Sequence, residues 1–299
     1  MSRLLAGVET GGTKVVCALA RREDPRRILR RAVLPTTGPE KTLAGIAAFL
    51  RDVGEPLAAV GVASFGPLEV DARSPNFGRI TVTPKRGWEG VDLLGAVAAA
   101  APGARTALVT DVNGAALAEG RWGAAVGERD CVYLTVGTGV GAGVLSGGRL
   151  LAGSGWPEVA HIPVRRHPED IFAGVCRFHG DCLEGLVSGP AIISRWGTHG
   201  SALDPERARR NVALSAFYLA QLLATLTYTL GSTLAIVGGG VAKTPGLLAR
   251  TEAEAHRLLG PAGATGTSVA RTRVVPPALG DDAGVLGALA LADEVADSP

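Results

Sequence analysis

The chain has little cysteine, few aromatic residues and almost no net charge. Only 4 of the 299 residues are cysteines; two of them, Cys17 and Cys131, stand alone in apolar runs, so a disulfide framework is excluded and a reducing compartment is expected. The net charge of +2 at pH 7, with basic residues scattered among acids, argues against a nucleic-acid partner. No apolar run reaches the roughly 18 residues of a membrane span. The N-terminus lacks a signal-peptide pattern, so we expect a cytoplasmic protein.

The composition is that of a globular protein, with 46% hydrophobic and 19% charged residues. The length favours two domains or one large one. Strand-like apolar runs alternate with helical patterns, which predicts an α/β fold. The predicted strands are two within 4–20, then 58–64, 80–82, 106–110, 131–136, 142–145, 234–237 and 274–275. The predicted helices are 41–53, 93–100, 115–119, 205–230 and 285–295.

Two predicted hairpins share a turn built from glycine and threonine. The first turn is Gly11-Gly12-Thr13-Lys14, and the second is residues 137–141, GTGVG. Backbone N–H groups and a threonine hydroxyl in such a turn can hold phosphate oxygens, although a plain hairpin also uses glycine there. The repetition favours phosphate binding more than either copy does alone. Neither turn matches a Walker loop or a dinucleotide fingerprint.

Three further strand ends carry candidate ligand groups, because α/β proteins bind ligands at the carboxyl ends of their strands. The turn Ser64–Pro67 follows the strand 58–64, and a third glycine turn, Gly238–Val241, follows the strand 234–237. Asp111 follows the strand 106–110 and begins an alanine-rich helix. Its carboxylate is either an ordinary helix N-cap or a group aimed at a cleft.

The stretch from Trp156 to Glu184 holds three of the five histidines and two of the four cysteines. Cys176, His179 and Cys182 follow one another at three-residue intervals, and His161 or His167 lies upstream. Two sulfur and two nitrogen ligands make the inventory of a closed, structural zinc site. Four protein ligands leave no open position for a substrate, so such a zinc would not be catalytic.

Together these motifs resemble the ROK family (repressors, open reading frames, kinases), and in particular its bacterial fructokinases. The matching segments fall in the family's order: 7–14, 63–67, 83–85, 110–114, 137–141, Glu158-x-x-His161, 176–185 and 237–240. Residue 9 is glutamate where many members carry aspartate. Asp282 stands where asparagine is common near the nucleotide.

The resemblance implies an actin-like ATPase (ribonuclease H-like) fold, with two α/β domains around a cleft. The expected domains are 1–112, joined by the closing helix 283–299, and 113–282. It also implies an ATP-dependent hexose kinase that acts as a homodimer with MgATP and a structural Zn2+. Family repressors carry a helix-turn-helix domain before the first glycine turn, and only six residues precede Gly7, so a DNA-reading element is not expected.

The resemblance assigns the site residues as well. Asp111 is the expected catalytic base, and Glu9 is expected to orient Mg2+ through water. The zinc ligands are expected to be His161, Cys176, His179 and Cys182, with His167 as the alternative to His161. The expected substrate contacts are Glu158, His161, Glu184, Asn113, Ser64, Gly66 and Pro67. The expected nucleotide contacts are Gly11, Gly12, Thr13, Lys14, Thr138, Gly139, Gly238, Gly239 and Gly240.

The expected reaction is the transfer of the γ-phosphoryl group of ATP to the C6 hydroxyl of fructose. Glucose, mannose or N-acetylmannosamine is the alternative acceptor on the same scaffold. A different class of function is a sugar sensor that binds without turnover, against which Asp111 argues.

Overall fold

The computed structural model describes residues 3–83, 85–153, 155–260 and 272–296. The chain divides into two compact units: residues 1–123, 152–156 and 279–299 form the first, and residues 124–151 and 157–278 form the second. The first unit thus runs beyond the expected boundary at 112. Parts of the expected domains (1–2, Ser154, 261–271 and 297–299) and Pro84 of the segment 83–85 lie outside the described residues.

Two five-stranded sheets organise the fold, one in each unit. The strands are β1 (Leu4–Thr10), β2 (Lys14–Arg21), β3 (Asp24–Pro35), β4 (Leu57–Ser64), β5 (Arg105–Thr110), β6 (Cys131–Val136), β7 (Val140–Ser146), β8 (Arg149–Leu150), β9 (Leu234–Gly238) and β10 (Arg273–Val275). The first sheet has the order β3-β2-β1-β4-β5, and the second has the order β10-β9-β6-β7-β8. In each sheet an antiparallel meander is followed by parallel strands.

Eight α-helices flank these sheets in the described part of the chain. They are α1 (Pro39–Arg51), α2 (Leu93–Ala100), α3 (Asp111–Trp122), α4 (Leu183–Val187), α5 (Gly189–Trp196), α6 (Pro205–Leu230), α7 (Leu247–Leu259) and α8 (Ala283–Ala296). The mixture of helices and mixed sheets confirms the predicted α/β class.

Helix α8 returns to the first sheet and packs between the sheet and α3. Its approach is so close that side chains are excluded on both sides. A Cβ on Gly61 of β4 would lie 2.0 Å from the Ala288 carbonyl oxygen, and one on Gly287 would lie 1.9 Å from the Gly114 oxygen of α3. This packing joins α3 to the first unit, which is why that unit extends past residue 112.

Helix α6 is the core helix of the second unit. Of the helices in the described ranges, only α6 is long and apolar enough to cross a membrane by length and composition. Its buried residues, however, join the cluster formed by β6, β7 and β9, and 61% of its apolar stretch is buried inside the protein. Residues such as Leu219, Leu222 and Leu223 therefore serve the hydrophobic core of the unit.

The sequence reading was wrong or incomplete at several elements. The predicted strand 80–82 is only a pair of isolated bridges, Leu68 with Ile80 and Arg79 with Asp92. Strand β3 was missed because it is an edge strand whose arginines stand on both faces, without the buried alternation that predicts a strand. Helices α4, α5 and α7 were not predicted either.

Candidate active site and metal centre

The first glycine turn joins β1 to β2 and is held by the residues that follow β3. Gly11 N–H donates to the Lys14 carbonyl (2.8 Å) and closes the turn. Thr36 N–H donates to the Thr13 carbonyl (2.9 Å), and the Thr36 hydroxyl donates to the Gly11 carbonyl (2.9 Å). Gly12, Thr13 and Lys14 remain exposed, so the tip of the turn is open to a ligand while its base is fixed.

Asp111 is the first residue of α3 and follows β5 directly. The N-cap is Thr110, whose hydroxyl accepts from Asn113 N–H (3.3 Å). The reading of Asp111 as the cap is therefore wrong by one residue. The Asp111 carboxylate accepts from Val112 N–H (2.9 Å) and is only half-buried, which leaves it able to act on a ligand at a helix N-terminus.

Two buried side chains near this point have atoms that no described residue satisfies. Asn113 is 0% exposed, and both its amide nitrogen and its amide oxygen lack a hydrogen-bond partner. Glu9 Oε2 is also buried and lacks one. Buried polar groups are normally paired, so Asn113 and Glu9 have hydrogen-bonding capacity left for a ligand. Trp156 Nε1 in the same unit is a third case, which sequence reasoning did not single out.

Burial and neighbouring charged groups change the pKa of the Glu9 carboxyl group. Burial and the Asp111 carboxylate raise its pKa to about 7, against the lowering effects of Lys14 and Arg31. Helix α8 leaves no room beside it, because a Cβ on Gly284 would lie 2.4 Å from the Glu9 carboxyl carbon. A cation stabilises the charged form of a carboxyl whose ionisation a neighbouring carboxylate opposes, so Glu9 and Asp111 fit a Mg2+ site.

The second glycine turn joins β6 to β7 and is braced by α4 and α5. Gly137 N–H donates to the Gly139 carbonyl (2.9 Å), and Gly189 N–H donates to the Gly137 carbonyl (2.7 Å). Glu184 of α4 accepts from Val140 N–H (3.0 Å). The predicted sugar ligand Glu184 is therefore already bonded to this turn, with its Oε2 3.0 Å from the Cβ position of Gly139.

A cavity of about 760 Å³ opens beside this second turn. Three of the expected nucleotide contacts, Thr138, Gly239 and Gly240, line it, whereas Gly139 and Gly238 do not. Thr135, Gly137 and Val241 also line it, and the other lining residues come from α5, from the segment 199–201 and from the segment 243–245. They include Pro190, Ile192, Ile193, His199, Ser201, Lys243, Thr244 and Pro245.

Sequence reasoning missed these lining residues, although one local signal was available. Ser188-Gly189-Pro190 is a helix start, with serine as the N-cap and proline in the first turn. Ser188 indeed accepts from Ala191 N–H (3.4 Å). No pattern in the sequence announced His199, whose ring nitrogen accepts from Ser201 N–H (3.3 Å).

The four expected metal ligands come together in the second unit. The donor atoms of His161, Cys176, His179 and Cys182 all lie within 4.8 Å of one another. Nδ1 of His161 lies 3.7 Å from the Cys176 sulfur and 3.5 Å from the Cys182 sulfur, and Nδ1 of His179 lies 3.8 Å from the Cys176 sulfur. A tetrahedral site with Zn–S of about 2.3 Å and Zn–N of about 2.05 Å has S···N edges of about 3.6 Å.

His167 does not belong to this cluster. Its backbone N–H donates to the Tyr218 hydroxyl (3.2 Å), its Nδ1 accepts from Glu169 N–H (3.3 Å), and its ring packs edge-on against Phe217. Of the two histidines between which the sequence left a choice, His161 lies within the cluster and His167 does not.

A buried ion pair holds the segment that carries these ligands. Asp170 and Arg195 have side chains only 4% and 6% exposed, and their charged atoms lie 3.1 Å apart. The Tyr218 hydroxyl donates to Asp170 (2.7 Å), and Arg195 donates to the Leu186 carbonyl (2.9 Å). Segment 167–172 is thereby fixed to α5 and α6, close in sequence to the metal ligands.

The other predicted substrate contacts differ in their exposure and in the hydrogen bonds that they already make. Glu158 is exposed and precedes the single helical turn Val159–His161. Ser64 is buried, and its hydroxyl already accepts from Thr10 (2.7 Å) and donates to the Phe65 carbonyl (2.8 Å). Gly66 and Pro67 form a cis peptide after β4. Asp282, in the short turn before α8, pairs with Arg31.

The chain is similar to known sugar kinases both in sequence and in structure. The family model of the ROK family matches residues 5–295. The fructokinase of Zymomonas mobilis is 41% identical over 293 residues, which cover 95% of each chain. A ROK hexokinase structure from Thermus thermophilus is 30% identical, with a TM-score of 0.79 over 99% of this chain and 100% of that one. A ROK glucokinase structure from Streptomyces griseus, in complex with glucose and AMPPNP, is 26% identical, with a TM-score of 0.73 over 97% of this chain and 99% of that one. The chain belongs to the ROK family.

Proposed function

We propose that the protein is an ATP-dependent hexose kinase that phosphorylates the C6 hydroxyl of fructose. The observation that carries the reaction type is Asp111, a half-buried carboxylate at the carboxyl end of β5, accompanied by the unsatisfied side chains of Asn113 and Glu9. The similarity to the Zymomonas fructokinase over nearly the whole chain supports the choice of sugar.

Asp111 is the general base in this proposal. As the C6 oxygen bonds to the γ-phosphorus of ATP, the bond from that phosphorus to the bridging oxygen breaks, and the hydroxyl proton passes to the Asp111 carboxylate. The buried amide of Asn113 positions the sugar through its free donor and acceptor. The turn Gly11–Lys14 binds phosphate oxygens through its exposed tip.

Glu9 would hold Mg2+, through water, as the family resemblance implies. When bound, Mg2+ neutralises charge on the β- and γ-phosphates of ATP. The raised pKa and the unpartnered oxygen of Glu9 support this assignment, because a cation would stabilise its charged form.

The second unit provides the nucleotide site in this proposal. The cavity has the size of a small-molecule pocket and combines apolar walls with the glycine backbone of two turns. Ile192, Ile193 and Pro245 suit the face of a base, and Thr138 suits a phosphate. We propose that Gly239 and Gly240 allow the nucleotide to approach the backbone.

A structural Zn2+ is proposed at His161, Cys176, His179 and Cys182. The three S···N distances of 3.5–3.8 Å support it, because they match the edges of a zinc tetrahedron. Four protein ligands complete the shell, so the ion would stabilise the segment rather than act on the substrate.

His161 can serve both the metal and the sugar. Its Nδ1 faces the two sulfurs, and with Nδ1 bound to the metal the ring proton would lie on Nε2, which would donate to a hydroxyl. We propose that Glu158 and Glu184 accept hydrogen bonds from other hydroxyls of the same sugar, since carboxylates offer only acceptors.

A coupled assay of ADP release with fructose, mannose, glucose and N-acetylmannosamine tests the proposal. We expect the highest kcat/KM with fructose. A higher value with glucose or mannose would favour the activities named for the Thermus and Streptomyces structures. Hexose binding without ADP release would favour the sugar sensor.

Location and assembly complete the proposal. None of the four cysteines forms a disulfide, which supports a reducing, cytoplasmic location. The resemblance alone supports a homodimer, and light scattering after size-exclusion chromatography would measure its mass.

A further inference from the structure

Lys85 lies over the first glycine turn, far from it in sequence. The residue belongs to the segment between β4 and α2, and its Nζ donates to the Gly12 carbonyl. A Cβ on Gly12 would lie 4.0 Å from the Lys85 Cε. The ammonium group is thus placed at the turn that we propose binds phosphate.

Two aromatic rings hold the ammonium group in position. Nζ lies 5.0 Å from the ring centroid of Phe65 and 6.0 Å from that of Trp88, and the two rings meet edge to face at 5.3 Å. Trp88 is 1% exposed and donates through Nε1 to the Thr37 carbonyl (3.0 Å). Thr36, the preceding residue, holds the turn itself, so Lys85 and the turn share one anchor.

Among the residues that the structure describes, no acid neutralises the charge of Lys85. Within the described ranges, no carboxylate lies within 4.0 Å of its nitrogen, whereas many of the arginines pair with acids. Burial lowers the pKa of Lys85. The ammonium group has three N–H donors, of which Gly12 takes one. Two donors on an uncompensated cation therefore remain at an exposed turn.

We propose that Lys85 is a further catalytic residue that binds the transferred phosphoryl group. The inference rests on the proposed kinase function for the identity of that group. Phosphoryl transfer depends on positioning and on cations that stabilise charge on the equatorial oxygens. A lysine clamped by two rings and a backbone carbonyl supplies such a cation without reorganisation during the reaction.

The test compares Lys85→Met with Arg86→Met in the full-length protein. Both variants remove one positive charge from the same segment, but Arg86 is exposed. We expect Lys85→Met to lower kcat about 100-fold, the loss typical of one preorganised donor, while the Kd for fructose alone stays within about twofold. Arg86→Met should retain the wild-type kcat, and Lys85→Arg should recover part of it. Equal losses in the two Met variants, or a change confined to the fructose KM, would overturn the proposal.

A binding measurement tests the role of Lys85 independently of the proposed kinase activity. Calorimetry with Mg2+ and inorganic tripolyphosphate at fixed ionic strength should show about tenfold weaker binding to Lys85→Met than to Arg86→Met, about the strength of one charge-assisted hydrogen bond. Equal affinities would count against Lys85 as a phosphate ligand. If the wild type releases no ADP with any hexose, the kinase proposal fails, but this comparison still decides the role of Lys85.

A second variant tests whether Lys85 merely ties the segment down. Trp88→Phe removes the hydrogen bond to Thr37 and keeps an aromatic ring. We expect it to lower Tm but to reduce kcat far less than Lys85→Met does. A kcat loss in Trp88→Phe as large as that in Lys85→Met would assign Lys85 to tethering.

Discussion

The two units of this protein have the same sheet topology but equip it differently. Reading the second sheet as β8-β7-β6-β9-β10 reproduces the first, β3-β2-β1-β4-β5, strand for strand. Each unit has a glycine and threonine turn in its first hairpin. In the first unit a cation, Lys85, lies on that turn, whereas in the second a carboxylate, Glu184, accepts from it. The sheet topology thus determines where each turn lies, whereas residues from later in the chain, Lys85 and Glu184, determine the charge beside it.

The segments that bring these charges are also held in different ways. In the first unit, Trp88 seals the segment before α2 with an indole that is 1% exposed. In the second, the long segment before α4 depends on a buried ion pair, Asp170 with Arg195, and on the four metal-ligand side chains. We therefore expect changes at Asp111 and Lys85 of the first unit to lower kcat most, and changes at the ion pair or the metal ligands of the second unit to lower stability or metal content.

The largest effect should come from Asp111→Asn. Removing the base should lower kcat by about 1,000-fold, within the range that general acid–base groups contribute, while fructose still binds. Steady-state kinetics and calorimetry with fructose measure the two quantities. Asp24→Asn, at an exposed aspartate of the same unit, is the control and should keep kcat. A near-normal kcat in Asp111→Asn would mean that another group takes the proton.

The metal centre of the second unit should be the next most sensitive feature. Cys176→Ser should lose zinc and lower Tm by about 10 °C, because structural zinc contributes folding free energy directly. Elemental analysis and thermal melting measure both effects. One zinc per chain retained in this variant would refute the proposed ligands.

Two matched variants sharpen the zinc test. Cys131→Ala removes a buried thiol of β6 and should cost some stability but keep the metal. His167→Ala should also keep it, since the nitrogen of His167 accepts from Glu169 N–H instead. Loss of zinc in His167→Ala, with His161→Ala unaffected, would reverse the choice between these two histidines.

The buried ion pair gives the third prediction. Asp170→Asn leaves the Arg195 charge buried without its partner, which should lower the free energy of unfolding by about 3 to 5 kcal/mol. The control is the exposed pair Arg30 with Asp52 in the first unit, where Asp52→Asn should cost at most about 1 kcal/mol. Urea unfolding of both variants measures the difference. Similar losses of unfolding free energy in Asp170→Asn and Asp52→Asn would mean that burial does not increase the stabilisation by the Asp170–Arg195 pair.

The Asp170–Arg195 pair should also make the stability of the protein depend on pH. Burial raises the pKa of Asp170, but the Tyr218 hydroxyl and Arg195 outweigh it and hold the pKa below its usual value. The pair therefore contributes its stability above the unfolded-state pKa of about 3.9 and loses it as the pH falls through the lower, folded-state value. Wild type should lose more stability than Asp170→Asn below about pH 4.

The sequence alone was sufficient to predict features that depend on a local pattern of residues. Glycine turns between apolar runs predicted the two hairpins, and the spacing of Cys176, His179 and Cys182 predicted a cluster that the structure brings together. It was insufficient where a partner is distant in the chain. Lys85 reaches Gly12 across 73 residues, and Asp170 meets Tyr218 across 48, so no window of sequence contains either contact.

The smallest effects should come from two adjacent glycines of the cavity. Gly239 has φ of +91°, and a Cβ there would lie 2.4 Å from the Val136 carbonyl oxygen, whereas a Cβ on Gly240 meets nothing within 4 Å. Gly239→Ala should therefore lower the free energy of unfolding by about 1 to 3 kcal/mol. Gly240→Ala should leave stability nearly unchanged.

Gly240→Ala also tests the division of roles between the units. If the nucleotide approaches the backbone at this turn, the added methyl group should raise the KM for ATP severalfold and leave the KM for fructose unchanged. Initial-rate kinetics with each substrate varied in turn measure both constants. A rise in the fructose KM alone would place the sugar, rather than the nucleotide, in the cavity of the second unit.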